Sequence, residues 1–342
     1  MKIKENQNLR HFNTFGIDAS CRLMVEYESI KDLLSFIKDI RFRNLPHLHI
    51  GEGSNLLFLK DYDGVVLRSA IRQTRQLQSD RPDEVRLQVG GGLKWDTLVA
   101  SSLRHGWYGL ENLSLIPGTV GAAAVQNIGA YGAEAGDFIE SVTCINLQTG
   151  ERRTFTHDEC HYAYRHSYFK SAEAWGQWAV IYVNLRLSRH FTPNLSYGRL
   201  REELEHRSLK PEQVTPQQLR DIIIDIRRSK LPDPRVQGNA GSFFKNPIVG
   251  RDVYEKLVKH YERVPHFEVD DTHVKIPAAW LIEQCGWKGK SMGTAAVHDV
   301  QPLVLVNLGG AKGRDIARLS EAVRHDVSER FGIDIQPEVN FI

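Results

Sequence analysis

A chain of 342 residues is too long for one small core, and its length predicts two or three domains. Its 41% hydrophobic and 25% charged residues are those of an ordinary globular protein, and a formal charge of +2 excludes a whole-molecule field for nucleic acid or an anionic membrane. The basic pairs Arg152-Arg153 and Arg227-Arg228 read as solvated faces. The amino-terminal MKIKENQNLRHFNTFG lacks the apolar stretch of a signal peptide, and no run approaches the roughly 20 apolar residues that span a bilayer. Cys21, Cys144, Cys160 and Cys285 are too scattered for a disulfide framework. The expectation is a cytoplasmic, monomeric protein with reduced thiols and small-molecule partners, without nucleic acid or membrane insertion.

Ser29 opens a predicted helix in which Ile30, Leu33, Leu34, Ile37 and Ile40 recur at helical spacing. The apolar strand HLHI follows, then the turn GEGSN and the apolar LLFL. VRLQVGGG alternates like a strand before its glycines, so this half reads as α+β with tight turns at strand ends. More than half of GTVGAAAVQNIGAYGAEAG, residues 118 to 136, is Gly or Ala. Such residues let backbone approach a neighbouring strand or a flat ligand, and a ligand-lining role is the favoured reading.

From Val142 to about Leu187 the pattern is strand-like again, and the polar stretch 188–216 reads as a connection between domains. Thr215, Pro216 and Gln218 then form a capping pattern before Leu219, Ile222, Ile223 and Ile226 on one helical face. A last amphipathic helix carries Ile316, Leu319, Val323, Val327 and Phe331, stops at Gly332 and yields to the strand-like IQPEVNFI.

Several motifs carry candidate chemistry. GEGSN lacks the third glycine of a dinucleotide fingerprint. It is either a plain β-turn or a loop whose backbone amides face a pyrophosphate, with Ser54 and Asn55 as side-chain donors. GNAGSFFKNP is the most unusual decamer: Gly238 and Gly241 permit tight paths around Ser242, and Phe243 and Phe244 offer apolar walls. It reads either as a turn feeding a core strand or as a serine held in a dry pocket as an acid or nucleophile. No GxSxG elbow surrounds Ser242 and no histidine is marked as its base, which disfavours a hydrolase. In YRHSYFK, Arg165 sits among aromatics and needs a partner, either a structural carboxylate or a substrate carboxylate. His157 and His161 flank Cys160, but no third ligand is evident and no metal site is expected.

GEGSN, IPGTVGAAAVQNIGAYG, YRHSYFK, GNAGSFFKNP and PEVNFI, in this order, resemble the UDP-N-acetylenolpyruvoylglucosamine reductases over nearly the whole chain. SYGRL at 196–200 looks like the form with an extra tyrosine loop. The resemblance implies an α+β protein. An FAD-binding domain of the vanillyl-alcohol-oxidase (PCMH) type forms two α/β subdomains, residues 1–70 and 71–190. A tyrosine loop and connection, 191–215, leads to a substrate-binding α/β domain, 216–342, whose last strand returns to the FAD domain. It implies non-covalent FAD, NADPH as co-substrate and a UDP-sugar substrate.

By motif, Ser242 is similar to the family's proton donor, and Arg165 and Glu338 match its other two catalytic positions. Tyr197, Lys230, Asn246 and Gln301 resemble substrate-holding residues. FAD contacts are implied at Gly51, Glu52, Gly53, Ser54 and Asn55, and at Pro117, Gly118, Thr119, Gly121, Ala122, Gln126, Asn127, Gly129, Ala130 and Tyr131. The chain departs from the pattern at His166, commonly acidic, and at Asn340, often arginine, so local ion pairing is open there.

Overall fold

Ser29 fulfils its predicted role in the computed structural model, which describes all 342 residues: its Oγ accepts the Asp32 N–H at 3.1 Å and starts α1 (Ile30–Lys38). Leu33 and Phe36 of α1 are buried, and they pack with Val25, Val65 and Leu67 from a four-stranded sheet. That sheet has the order Lys2–Asn8, Ser20–Tyr27, Tyr62–Ser69, His47–Ile50, and its last two strands run parallel.

A five-stranded sheet follows, in the order Arg152–Thr156, Ile139–Asn146, Trp178–Ser188, Glu84–Gly90, Thr74–Leu77, with every pair antiparallel. Its central strand, Trp178–Ser188, serves two cores, and a register shift between Val180 and Tyr182 swaps the faces along it. Ala179 and Ile181 join the α1 core, while Val180, Val183, Leu185 and Leu187 face a second core with α2 (Trp95–Arg104) and α3 (Val120–Gln126).

The polar stretch 188–216 is not merely a connection, because it contains α4 (Gly198–His206). Leu200 and Leu204 of α4 are buried against Leu219, Ile222, Ile223 and Ile226 of α5 (Pro216–Lys230). The many charged residues around those two leucines hid the helix from a reading of apolar periodicity. The capping pattern of α5 is realised: Thr215 Oγ1 accepts the Gln218 N–H, and Gln218 Oε1 accepts the Thr215 N–H.

By internal packing the chain forms two units. The first comprises Met1–Gln7, Cys21–Glu52 and Asp63–Ser229; the second comprises Asn8–Ser20, Gly53–Tyr62 and Lys230–Ile342. In the second unit, a sheet of Gly238–Ser242, Val304–Asn307, Ala295–Val297 and Ser291–Met292 meets α8 (Gly313–Phe331). Beside it stand α6 (Arg251–His260), α7 (Ala278–Gln284) and a small sheet of Ile248–Gly250, His273–Lys275 and Phe267–Glu268. Gly332 ends α8 at φ +65°, a conformation that favours glycine. The last strand, Asn340–Phe341, pairs in parallel with Leu56–Leu57, which belong to the same unit. No helix is long and apolar enough to cross a membrane.

Candidate active site

In the first unit, the Gly/Ala-rich run is a built structure, not a linker. Thr119 Oγ1 accepts the Ala122 N–H and starts α3, and Asn127 ends it in the left-handed region at φ +46°. The Asn127 amide donates to Glu134 Oε2 (2.6 Å) and the Ala163 carbonyl (2.9 Å), and its Oδ1 accepts the Gly136 N–H. Gln126 Oε1 accepts from Lys170 Nζ at 2.7 Å. The small residues are used for close approach. A Cβ on Gly51 would lie 2.8 Å from Thr119 Oγ1 and 3.0 Å from the Ala122 Cβ, so the loop at 51 presses directly on α3. Glu52 ties the two glycine-rich segments together, pairing with Lys94 Nζ at 2.7 Å and accepting the Gly118 N–H at 3.0 Å.

Arg165 has φ +54°, a backbone conformation that costs a large side chain energy and concentrates at functional sites. Its Nη2 donates to the Gly129 carbonyl at 2.7 Å, and its guanidinium lies over the Tyr164 ring. Two residues on from Gly129, Tyr131 (φ +50°) interacts electrostatically with Arg227 of α5 and meets the Tyr197 ring edge-on at 5.4 Å. The run's end, Arg165, Tyr197 and Arg227 are therefore neighbours.

Arg227 corrects the sequence reading of a solvated basic pair. Its Nε is sealed from solvent and has no hydrogen-bond partner. Burial lowers its pKa, opposed by Tyr131 and Asp96, while Arg165 lowers it further. Helical periodicity holds the missed signal: Arg220 and Arg227 stand seven apart, flanking the apolar stripe of α5. Asn112 was also missed. It lies in no glycine-rich motif, yet its amide donates to the Tyr131 and Asn194 carbonyls at 2.7 and 2.9 Å.

In the second unit, GNAGS forms a strand with a bulge. Asn239 opposes Val306 and Ser242 opposes Val304, so the residues between are out of register. Asn239 builds the bulge: its Oδ1 accepts the Gly241 N–H at 2.9 Å and its amide donates to the Pro232 and Gln237 carbonyls. Gly241, at φ +67°, turns the chain so that Ser242 is exposed while Phe243 and Phe244 are both buried. The expected dry pocket walled by those phenylalanines is thus corrected. Phe243 packs on Phe15 and Phe341, because two successive rings at a strand end gain more from the core than from lining a serine.

Glu338 comes beside this strand: its N–H donates to the Phe243 carbonyl at 2.7 Å, and Asn55 Nδ2 donates to its carbonyl. Ser242 and Glu338 are therefore brought together. Asn340 fills its place with two hydrogen bonds to the Asn55 carbonyl, one from its backbone and one from its amide. Asn246 Oδ1 accepts the first N–H of α7, Gln301 Oε1 reaches the Leu303 N–H, and Lys230 ends α5. Along the loop that crosses from one unit to the other, the N–H groups of Glu52, Gly53, Ser54 and Asn55 donate to no group in the chain. Such amides suit a diphosphate.

These features agree with the comparisons. An FAD binding domain matches residues 21–156, and the UDP-N-acetylenolpyruvoylglucosamine reductase C-terminal domain matches residues 233–342. A UDP-N-acetylenolpyruvoylglucosamine reductase of Bacteroides fragilis is 51% identical over 99% of this chain and 100% of its own length. One of Porphyromonas gingivalis is 44% identical over the full length of both. The chain belongs to the UDP-N-acetylenolpyruvoylglucosamine reductase family.

The crystal structure of the Thermus caldophilus UDP-N-acetylenolpyruvylglucosamine reductase covers 100% of this chain and 99% of its own, with a TM-score of 0.69 at 23% identity, and so shares the fold. The enzyme is an FAD-dependent oxidoreductase of α+β fold, with the FAD domain preceding the reductase C-terminal domain.

Proposed function

We propose that the enzyme converts UDP-N-acetylglucosamine enolpyruvate to UDP-N-acetylmuramate with NADPH, in the cytoplasm, for the peptidoglycan synthesis that supports cell shape and division. The supporting observation is the glycine bulge that leaves Ser242 exposed with Glu338 bonded to the next residue. Residues 51–55 and 117–131 would hold FAD, which when reduced supplies the hydride. Hydride addition at the methylene carbon of an enolpyruvyl ether places negative charge on the α carbon and its carboxylate. Arg165 stabilises that charge, and Glu338 either orients the arginine or hydrogen-bonds the developing charge. Ser242 Oγ–H gives its proton to the α carbon; hydroxyl is a weak acid, but the carbanion is a strong base and a fixed donor avoids any wait for solvent.

Tyr197, Lys230, Asn246 and Gln301 hold the diphosphate and pyruvyl regions. Arg227, whose buried Nε has no partner in the chain, adds a second guanidinium to that of Arg165 for an anionic group of the same substrate. Purified protein should oxidise NADPH rapidly only when UDP-N-acetylglucosamine enolpyruvate is present. Turnover independent of that substrate, or oxygen consumption with a sugar alcohol, would overturn the assignment.

A further inference from the structure

Arg220 shares one helical face with Arg227, because seven residues at 100° each return to nearly the same side of α5. Its guanidinium grips both oxygens of Asp96 on α2, Nη1 to Oδ1 at 2.7 Å and Nη2 to Oδ2 at 2.9 Å. The Arg220 side chain is only 9% exposed. Asp96 Oδ1 also accepts the Leu115 N–H at 2.6 Å, which holds Leu115 at φ +57° on the approach to the flavin run. Asp96 is thus filled, by one bidentate cation and one amide.

The second cation in its field is Arg227. Arg227 feels the attraction of Tyr131, carries an unpartnered Nε and feels the repulsion of Arg165. A guanidinium so placed would turn to any free carboxylate within reach, since a charged hydrogen bond outweighs a neutral one to a tyrosine. Asp96, gripped from the same face of α5 by Arg220, is the carboxylate whose attraction Arg227 feels, and Arg220 occupies it.

We propose that Arg220 is a positioning residue for the reaction: by occupying both oxygens of Asp96 it prevents that carboxylate from capturing Arg227, and leaves Arg227 directed at Tyr131 and at an anionic group of the substrate. The inference rests on the substrate role given to Arg227 above. It assigns Asp96 an opposite effect, that of a competitor kept silent. Loss of Arg220 therefore harms substrate binding only while Asp96 is present.

The test is a double-mutant cycle read by steady-state kinetics with UDP-N-acetylglucosamine enolpyruvate and NADPH, together with flavin content and thermal midpoint. Arg220→Met should raise KM for the enolpyruvyl substrate about tenfold by freeing an Asp96 carboxylate to pair with Arg227, with kcat and flavin reduction by NADPH changed less than about threefold. Arg220→Lys, which keeps the charge but cannot fill both oxygens, should lie between. Asp96→Asn combined with Arg220→Met should return KM to near that of the unaltered enzyme, although both variants lose the ion pair. A double variant as impaired as Arg220→Met, or losses of flavin and thermal midpoint that account for the whole effect, would overturn the inference. Arg227→Met separates the two levels. An unchanged KM there removes Arg227 from substrate binding and this inference with it. A raised KM there, beside an unaffected Arg220→Met enzyme, overturns the role of Arg220 alone.

Discussion

Two glycine-rich segments serve opposite ends. In the run 118–136 of the first unit, small residues bring backbone against backbone and the polar side chains Thr119, Gln126 and Asn127 are committed within the protein. In the decamer 238–247 of the second unit, glycine bends a strand so that one hydroxyl escapes the core while its neighbours enter it. The first segment is a close-packed surface; the second presents a single exposed hydroxyl. The difference teaches that glycine content signals close approach or redirection, and the hydrogen bonds of the adjacent asparagine, Asn127 or Asn239, decide which.

The largest expected effect breaks the comparison at the hydroxyl. Ser242→Ala should lower turnover about 10³-fold, within the range of general acid catalysis, while NADPH still reduces the flavin. Stopped-flow reoxidation on substrate addition measures it, and normal reoxidation would remove Ser242 from proton donation.

Acid should act on the first segment's side. His49, on the strand entering Gly51, bonds the Tyr27 hydroxyl at 2.7 Å, and burial lowers its pKa to about 4. A histidine depressed from its ordinary 6.5 adds stability that is complete above pH 6.5 and lost as pH falls from 6.5 toward 4, up to about 3 kcal/mol. Urea midpoints at pH 7.5 and 5 should differ for the unaltered enzyme and much less for His49→Gln.

Asn239→Ala attacks the bulge. It strips hydrogen bonds from the Gly241 N–H and two carbonyls, at a cost of about 2 kcal/mol, and should depress turnover beyond any loss of folded enzyme because Ser242 is re-aimed. Denaturant unfolding beside kcat separates the two. The smallest effect is expected for Gly129→Ala, whose Cβ would lie 2.8 Å from Arg165 Nη1, the movable end of a side chain. Turnover should fall about tenfold, one factor of about 1.4 kcal/mol, with FAD content unchanged. Loss of flavin with turnover would mean that the run, not the guanidinium, was disturbed.

Much of the fold was legible in the sequence. The caps at Ser29 and Thr215, the stop at Gly332 and the apolar stripes of α1, α5 and α8 are local signals that need no partner to be read. α4 was not legible, since two buried leucines make a stripe too narrow to stand out in a polar stretch. Ser242, Arg165 and Glu338 are candidates singled out by resemblance of motifs, whereas Arg220, Arg227 and Asn112 carried no motif. Their significance is a matter of who lies beside them.

The sequence by itself determined where helices begin and end, which residues are apolar on one face and which family the motifs resemble, because those properties depend on neighbours in the chain. Only the tertiary structure decided that Phe243 and Phe244 leave Ser242 exposed, that Asp96 is filled by Arg220 and that the Arg227 Nε has no partner. Burial, pairing and an unmet hydrogen bond are relations between distant segments, here 124 residues apart for Asp96 and Arg220, and no local pattern encodes them.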